Sequence, residues 1–144
     1  MVVIVILGVL AASVMPRFLG ANDLKGAGYR DQILSALRYA QKAAVSHRRL
    51  VCATVNGSGV NLTIATVGGA SSCSAGSLLA GPGGTGQLVS NPDGFGISPA
   101  STTLYFQPWG QVTSDGAGTT TASFTLTVTS QAAITVDGRT GYAG

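Results

Sequence analysis

The chain opens with a run of hydrophobic residues that has no polar face. Of residues 1–15, eleven are large and apolar and none is charged. Such a helix is typical of a membrane or of the centre of a helix bundle, whereas a helix on a globular core keeps one polar face. In a secretory signal a basic segment precedes the hydrophobic stretch, and this sequence shows no such segment before the run. We therefore expect a packing helix whose apolar contacts come from Val2, Val3, Ile4, Val5, Ile6, Leu7, Val9, Leu10 and Val14.

Residues that weaken a helix lie within and after this run. Pro16 removes a backbone donor, so a kink or break is predicted there, and Gly8 and Gly20 lower helix stability further. Residues 20–28 contain three glycines and indicate loosened backbone. Fifteen helical residues span about 22 Å, which is short of the ~20 residues that cross a bilayer comfortably. We assign residues 1–28 to an apolar transmembrane or filament-core helix followed by a flexible break.

A second helix is predicted over residues 29–49. Ile33, Leu37, Ala40 and Ala44 recur at spacings of four, three and four residues, which places them on one helical face. Basic side chains occupy the other faces. The pattern is that of an amphipathic helix that lies on a sheet.

From residue 50 onward the pattern changes to the alternation of β-strands. Residues with β-branched and aromatic side chains are concentrated in five segments, which are 51–55, 60–67, 103–107, 123–129 and 133–136. The sequence Asn56-Gly57-Ser58-Gly59 predicts a hairpin turn between the first two strands. Strands that follow a long helix without βαβ alternation indicate an α+β fold, with the helix packed on an antiparallel sheet. We assign residues 29–144 to one globular head.

Two further features of the head are predicted. Residues 108–110 and 115–116 bracket a further hairpin, and Tyr105, Phe106 and Trp109 are expected in the hairpin core. Residues 68–99, which are rich in Gly, Ser and Pro, form a long surface loop that Cys73 tethers.

Composition favours an exported structural protein over a cytoplasmic enzyme. Charged residues make up 9% of the chain, 21 residues are Gly, and there is no Glu. In an exported chain Cys52 and Cys73 are predicted to form a disulfide. The chain-entropy model gives such a crosslink roughly 3 kcal/mol of stabilisation. Two separate buried thiols are the alternative.

Little in the sequence indicates catalysis. His47 is the one histidine, and the aspartates are scattered rather than paired. Residues 81–86 match a GxGxxG dinucleotide pattern, but no strand precedes them and no helix follows. Two cysteines and one distant histidine do not make a four-ligand metal site. We expect no catalytic residue, no metal and no cofactor.

Positive charge is concentrated in one part of the chain. Seven of the eight basic residues lie between positions 17 and 49. A solvated helix face accounts for this, and membrane topology or an anionic partner are the alternatives. The candidates for contact with a nucleic acid are Arg48, Arg49 and the isolated Arg139.

Residues 2–18, VVIVILGVLAASVMPRF, resemble the N-terminal signature of type IV pilins and type II secretion pseudopilins, an apolar helix with small central residues that ends at a proline. Residues 34–55, 104–112 and 134–142 resemble, more loosely, H-type minor pseudopilins and minor pilins of the mannose-sensitive haemagglutinin type. The resemblance implies a structural subunit of a type IV pilus or pilus-like filament, packed against copies of itself or other pilins. It also implies the inner membrane before assembly, a head in the periplasm, and an assembly platform with its ATPase.

Two alternatives remain open within this resemblance. One is a minor, tip or priming, pseudopilin of a type II secretion system, and the other is a DNA-uptake minor pilin. Some DNA-uptake pilins carry a C-terminal Gly-Arg-x-Arg, of which Gly138-Arg139-Thr140-Gly141 keeps the first arginine. Because one arginine supplies a single phosphate contact, nucleic acid is the weaker expectation.

The chain departs from the family at its start. Family members begin a few residues earlier, with a phenylalanine and a glutamate before the apolar run. That glutamate offsets the charged amine of a neighbouring subunit, because a buried unpaired amine is costly. The first acidic residue here is Asp23. We expect the natural subunit to start earlier than this sequence.

Overall fold

The computed structural model describes residues 1–19, 21–79, 81, 89–91 and 93–144, with the backbone alone in residues 13–19 and 21. Two helices are followed by short strands. The helices are α1 (Val2–Leu19) and α2 (Ala21–His47). The strands are β1 (Val51–Asn56), β2 (Gly59–Ile64), β3 (Ser77–Leu78), β4 (Val89–Ser90), β5 (Ile97–Ser98), β6 (Ser101–Phe106), β7 (Val112–Thr113), β8 (Phe124–Val128) and β9 (Ile134–Val136). The predicted α+β class is confirmed.

Helix α1 passes through Gly8 and Pro16 without interruption. The prediction of a kink or break near Pro16 is therefore wrong. A proline removes one backbone hydrogen bond from a helix, and the backbone from Val2 to Leu19 stays helical in spite of that loss. The break predicted at Gly20 lies outside the described residues.

Helix α2 begins at Ala21, so the loosened backbone predicted before residue 29 is wrong for residues 21–28. Tertiary contacts offset the intrinsic cost of glycine, which is about 1 kcal/mol per residue. A Cβ atom on Gly26 would lie 3.0 Å from the Nε2 atom of Gln131, so glycine allows a close approach here. Arg30 then donates from Nε to the Ala132 carbonyl oxygen at 2.8 Å.

Helix α2 ends in a Schellman motif. The Arg48 amide donates to the Val45 carbonyl at 3.4 Å, and the Arg49 amide donates to the Ala44 carbonyl at 3.2 Å. Arg48 adopts a φ of 51°, the left-handed conformation that glycine usually supplies at this position. The helix therefore ends two residues before the predicted boundary at 49 and delivers the chain directly into β1.

The first sheet has the order β3-β2-β1-β6-β7, and β4 also pairs with β2. All its pairings are antiparallel. The predicted turn at 56–59 is confirmed, because Asn56 and Gly59 pair across the end of the β1–β2 hairpin. Alternate residues of β1 face the helix, so Val51, Ala53 and Val55 are fully buried.

A second sheet of order β5-β8-β9 supports the N-terminal half of α2. The predicted strands at 123–129 and 133–136 are confirmed as β8 and β9. The predicted long loop at 68–99 is partly wrong, because its described residues include β3, β4 and β5. These two-residue strands are too short to produce a periodic sequence signal.

One hydrophobic core joins α2 to both sheets. The predicted helical positions Ile33, Leu37, Ala40 and Ala44 are all fully buried in it. Other large members are Leu62, Leu104, Phe106, Leu126 and Ile134. Within the β6–β7 hairpin, however, Trp109 is 60% exposed and Tyr105 is half-buried. The assignment of Trp109 to the hairpin core is wrong, because Trp109 lies in the turn beyond the last paired residues, Phe106 and Val112.

Candidate functional site

The described side chains of α1 form an exposed apolar surface. The eight large side chains between Val2 and Leu10 have 53% to 75% of their area exposed. This set is the predicted filament-packing group except for Val14, whose side chain lies outside the described residues. Residues 2–10 thus leave uncovered the kind of apolar surface that the head buries in its core.

Within the part of the chain that the structure describes, no helix combines the length and the apolar character needed to cross a membrane. The membrane-crossing segment expected within residues 1–28 is not found there.

The apolar surface of α1 has a counterpart at the start of α2. Leu24 is 74% exposed, whereas Tyr29 and Ile33 on the same helix are buried in the core. Lys25 forms an ion pair with Asp93, with Nζ and Oδ1 3.6 Å apart. The transition from uncovered to packed helix therefore falls within the first two turns of α2.

The predicted disulfide between Cys52 and Cys73 is confirmed. Cys52 is the second residue of β1, and its Cα–Cα distance to Cys73 is 6.2 Å. Leu50, Ala65 and Ala70 pack around the bridge as a small second core. The crosslink attaches the 68–75 segment to the side of the first sheet that faces away from α2.

The structure does not show the three predicted nucleic-acid contacts acting together. Arg48 and Arg49 are exposed at the C-terminal end of α2, where both backbone amides cap the helix. Arg139 lies in the turn after β9, and its amide donates to Asp137 Oδ1 at 2.9 Å. No contact among the described residues joins Arg139 to the other two. The positive charge of Arg48 and Arg49 is that of a solvated helix end.

Sequence reasoning missed two arginines that attach α2 to the C-terminal part of the chain. Arg30 donates to the Ala132 carbonyl, and Arg38 donates from Nε to the Ala143 carbonyl at 3.0 Å. The Arg38 guanidinium also lies 5.6 Å from the ring centroid of Tyr142. No local pattern distinguishes these residues from surface arginines, because their acceptors lie about a hundred positions away in sequence.

Asp137 organises the C-terminal turn. Its Oδ1 accepts hydrogen bonds from the Thr140 amide at 2.8 Å, the Thr140 hydroxyl at 3.0 Å and the Arg139 amide. The Thr140 amide and hydroxyl, with the charge of Arg139, hold the pKa of the Asp137 carboxyl below its ordinary value. The sequence Asp-Gly-x-Thr carried the signal for such a turn.

Asp115 plays the same part in the loop after β7. The hydroxyl and amide of Thr119 both donate to its carboxylate and lower its pKa. In both turns the carboxylate stabilises the turn by accepting hydrogen bonds from a threonine a few residues later. Neither arrangement resembles the paired acid and base of an active site.

A cavity of about 510 Å³ lies between α2 and the segment that follows β4. The Tyr29 ring stacks on Phe95 with centroids 6.0 Å apart. The Tyr29 hydroxyl is buried without a hydrogen-bond partner, and burial raises its pKa. The Lys25–Asp93 ion pair lies at this cavity. The described lining residues include no adjacent nucleophile and base.

The other candidates considered from the sequence are a metal site, His47 and the GxGxxG segment. Among the described residues, no three His, Cys, Asp or Glu side chains come together as metal ligands. His47 is exposed in the last turn of α2. Of the GxGxxG segment, residues 82–86 lie outside the described part of the chain.

Comparison with family models, with curated proteins and with solved structures found no match to this chain.

Proposed function

We propose that this chain is a structural subunit of a filament of the type IV pilus kind, which assembles through the apolar surface of α1. A single observation carries the proposal: all eight large side chains between Val2 and Leu10 are more than half exposed, whereas the head buries a continuous hydrophobic core. Exposed apolar surface of this extent marks an interaction site. The resemblance of residues 2–18 to pilins supplies the kind of assembly.

Energetics explain why such a helix needs partners. Each large apolar side chain contributes about 1.5–3 kcal/mol when it is fully buried. Because the eight side chains from Val2 to Leu10 are roughly two-thirds exposed, packing them against neighbours recovers at most about 8–16 kcal/mol per subunit. Most proteins are stabilised by about 5–15 kcal/mol in total. A free subunit in water would therefore associate.

The same surface lies in membrane lipid before assembly and in a central bundle of α1 helices afterwards. Lipid and bundle are both apolar, so the transfer between them yields little hydrophobic free energy. Assembly then requires an external energy source. By the resemblance, this source is a cytoplasmic ATPase that acts through a membrane platform. The proposal covers both a pilus and a secretion pseudopilus, which share this mechanism.

Crosslinking through an introduced cysteine tests the proposal. The two native cysteines are joined to each other, so Leu7→Cys supplies a unique free thiol on α1. The full chain is purified in detergent, the detergent is removed, and a short bismaleimide is added. We expect covalent dimers after detergent removal, because one thiol per chain allows each chain a single crosslink, together with filaments of uniform width in electron micrographs.

Val67→Cys is the matched control, because Val67 is 60% exposed on the head and Leu7 is 61% exposed on α1. This variant should give far less crosslinking under the same conditions. Equal crosslinking at both positions would indicate unspecific aggregation and would contradict assembly through α1. A chain that stays monomeric without detergent would also refute the proposal.

A further inference from the structure

The face of the first sheet that points away from α2 carries rows of neutral polar side chains. In the central row, Thr54 lies opposite Asn61 of β2 and Thr103 of β6. In the next row, Cys52 lies opposite Thr63 and Tyr105. Adjacent strands are about 4.8 Å apart, so these side chains form a closely spaced array of hydrogen-bonding groups.

The segment held by Cys73 turns part of this face into a groove of about 340 Å³. Tyr105 and the disulfide contribute to its lining. Six other lining residues carry hydroxyl groups, namely Thr54, Thr63, Thr103, Ser71, Ser72 and Ser74. None of the described lining residues is charged or aliphatic.

Most of these hydroxyl groups are available to a ligand. Ser72 and Ser74 bond to each other at 3.0 Å. The side-chain hydroxyls of Thr54, Thr63 and Thr103 make no hydrogen bond within the described part of the protein. A hydroxyl both donates and accepts hydrogen bonds, so the groove matches a ligand that is itself rich in hydroxyls.

A second depression of about 270 Å³ adjoins the groove, and Ser71 lines both. Its described lining is also uncharged and includes Trp109. The indole Nε1 donates to Gln111 Oε1 at 3.0 Å. A Cβ atom on Gly118 would lie 2.9 Å from the Trp109 ring, so the ring rests against the turn that contains Gly118. An exposed aromatic ring in a fixed orientation is a stacking surface for the C–H face of a sugar.

The wall between the two depressions is held at two points. The disulfide fixes Cys73 to β1, and Gly116 approaches Ser71 so closely that a Cβ atom there would lie 2.0 Å from the Ser71 carbonyl oxygen. A preformed site loses less conformational entropy when it binds. The two depressions therefore form one built site.

We infer that this surface binds a neutral oligosaccharide, with one sugar ring in the hydroxyl groove and the next stacked on Trp109. Uncharged lining excludes ion pairing as the source of recognition. The hydroxyl rows, the fixed indole and the connection through Ser71 match a ligand of two or more sugar units. This inference does not depend on filament assembly, because the site lies entirely in the head.

Trp109 provides the readout, because it is the one tryptophan of the chain. The full chain is kept monomeric in a zwitterionic detergent without a sugar headgroup. It is titrated with cellotetraose, maltotetraose and chitotetraose to about 10 mM, a range that detects millimolar dissociation constants. We expect at least one of these sugars to change the tryptophan emission saturably. A chondroitin sulfate tetrasaccharide, which is anionic, should not.

Variants separate the groove from the rest of the surface. Thr54→Val combined with Thr103→Val keeps the shape and the strand preference and should weaken binding about tenfold or more, because it removes two hydrogen bonds. Trp109→Ala should abolish binding when it is measured by saturation-transfer NMR. Thr125→Val combined with Thr127→Val on β8 is the matched control and should leave the affinity unchanged. Circular dichroism and urea midpoints verify folding.

Several results would overturn the inference. Failure of all three neutral sugars to bind is one, and binding of the sulfated sugar alone is another. Unchanged affinity in the Thr54/Thr103 variant would place the sugar elsewhere. A variant that alters self-association instead of sugar binding would identify the face as a contact between copies of the chain.

Discussion

Replacing Ile4 and Leu7 by serine should raise the concentration at which the chain assembles. The two residues are three positions apart and lie on the same side of α1. Their side chains are 75% and 61% exposed, so most of their burial occurs on assembly. The double variant Ile4→Ser/Leu7→Ser tests the central bundle directly.

The exposed fractions give the size of the effect. Full burial of an Ile or Leu side chain contributes about 1.5–3 kcal/mol, so the two exposed portions together contribute about 2–4 kcal/mol per subunit. Each 1.4 kcal/mol is a factor of ten in an equilibrium constant. The critical concentration should therefore rise by about 30- to 1000-fold.

The assay dilutes detergent-solubilised protein below the critical micelle concentration and sediments the polymer. The protein that remains in the supernatant reaches a plateau at the critical concentration. Val67→Ser/Leu78→Ser is the control, because these head residues are 60% and 57% exposed and have the same apolar character. Circular dichroism checks that serine, a weaker helix former, leaves α1 helical.

One result would refute the reasoning. If the Ile4/Leu7 variant had a plateau within about twofold of the original chain, a range typical of neutral surface substitutions, then α1 would not be the buried surface. An equal rise in the Val67/Leu78 control would show that assembly depends on general hydrophobicity and not on α1.

Two further predictions concern the head. Gly141→Ala should lower the free energy of unfolding by about 3 kcal/mol, because Gly141 has a φ of 70° and a Cβ atom would lie 2.1 Å from the Gly110 carbonyl oxygen. Gly57→Ala is the control, because a Cβ atom there meets nothing within 4 Å. Equal urea midpoints for the two variants would contradict the packing argument. Hydrogen bonds from the Thr140 amide and hydroxyl lower the pKa of Asp137 in the folded state from its ordinary 3.8, so this carboxylate stabilises the fold fully above pH 3.8 and progressively less as the pH falls below it. Asp137→Asn should flatten the acid limb of a stability–pH curve from thermal melts, and an unchanged acid limb would show that the turn does not depend on this charge.

The elements with a strong periodic signal were predictable from the sequence. The buried face of α2, the β1–β2 hairpin and the strands β6, β8 and β9 all follow from residue spacing and turn chemistry. Burial of the continuous apolar stripe of a helix or strand contributes more to stability than any local conformational preference. The hydrophobic pattern and the structure therefore agree for the elements that form the core. The disulfide was predictable from the cysteine count, because it joins the two cysteines of a chain that has no others.

Two of the errors have different physical causes. Glycines at 26 and 28 suggested a loose segment, yet a Cβ atom on Gly26 would lie 3.0 Å from the Gln131 side chain. That contact joins residues about a hundred positions apart, and local propensity contains no information about it. Trp109 suggested a core residue, yet the turn carries it past the last paired residues of the hairpin.

The sequence by itself determined that residues 2–10 form an apolar helix with no polar face, and that the remainder folds as a helix on antiparallel strands. Periodicity and turn residues are local properties, so they can be recognised in the sequence without knowledge of the fold. The tertiary structure alone decided that the α1 surface stays uncovered while α2 is fully packed, and that hydroxyl side chains from three strands meet Trp109 across a disulfide-held wall. These arrangements depend on strand order, register and the packing of α2, which bring together residues about fifty to a hundred positions apart. Such pairings are set by the packing of the whole core.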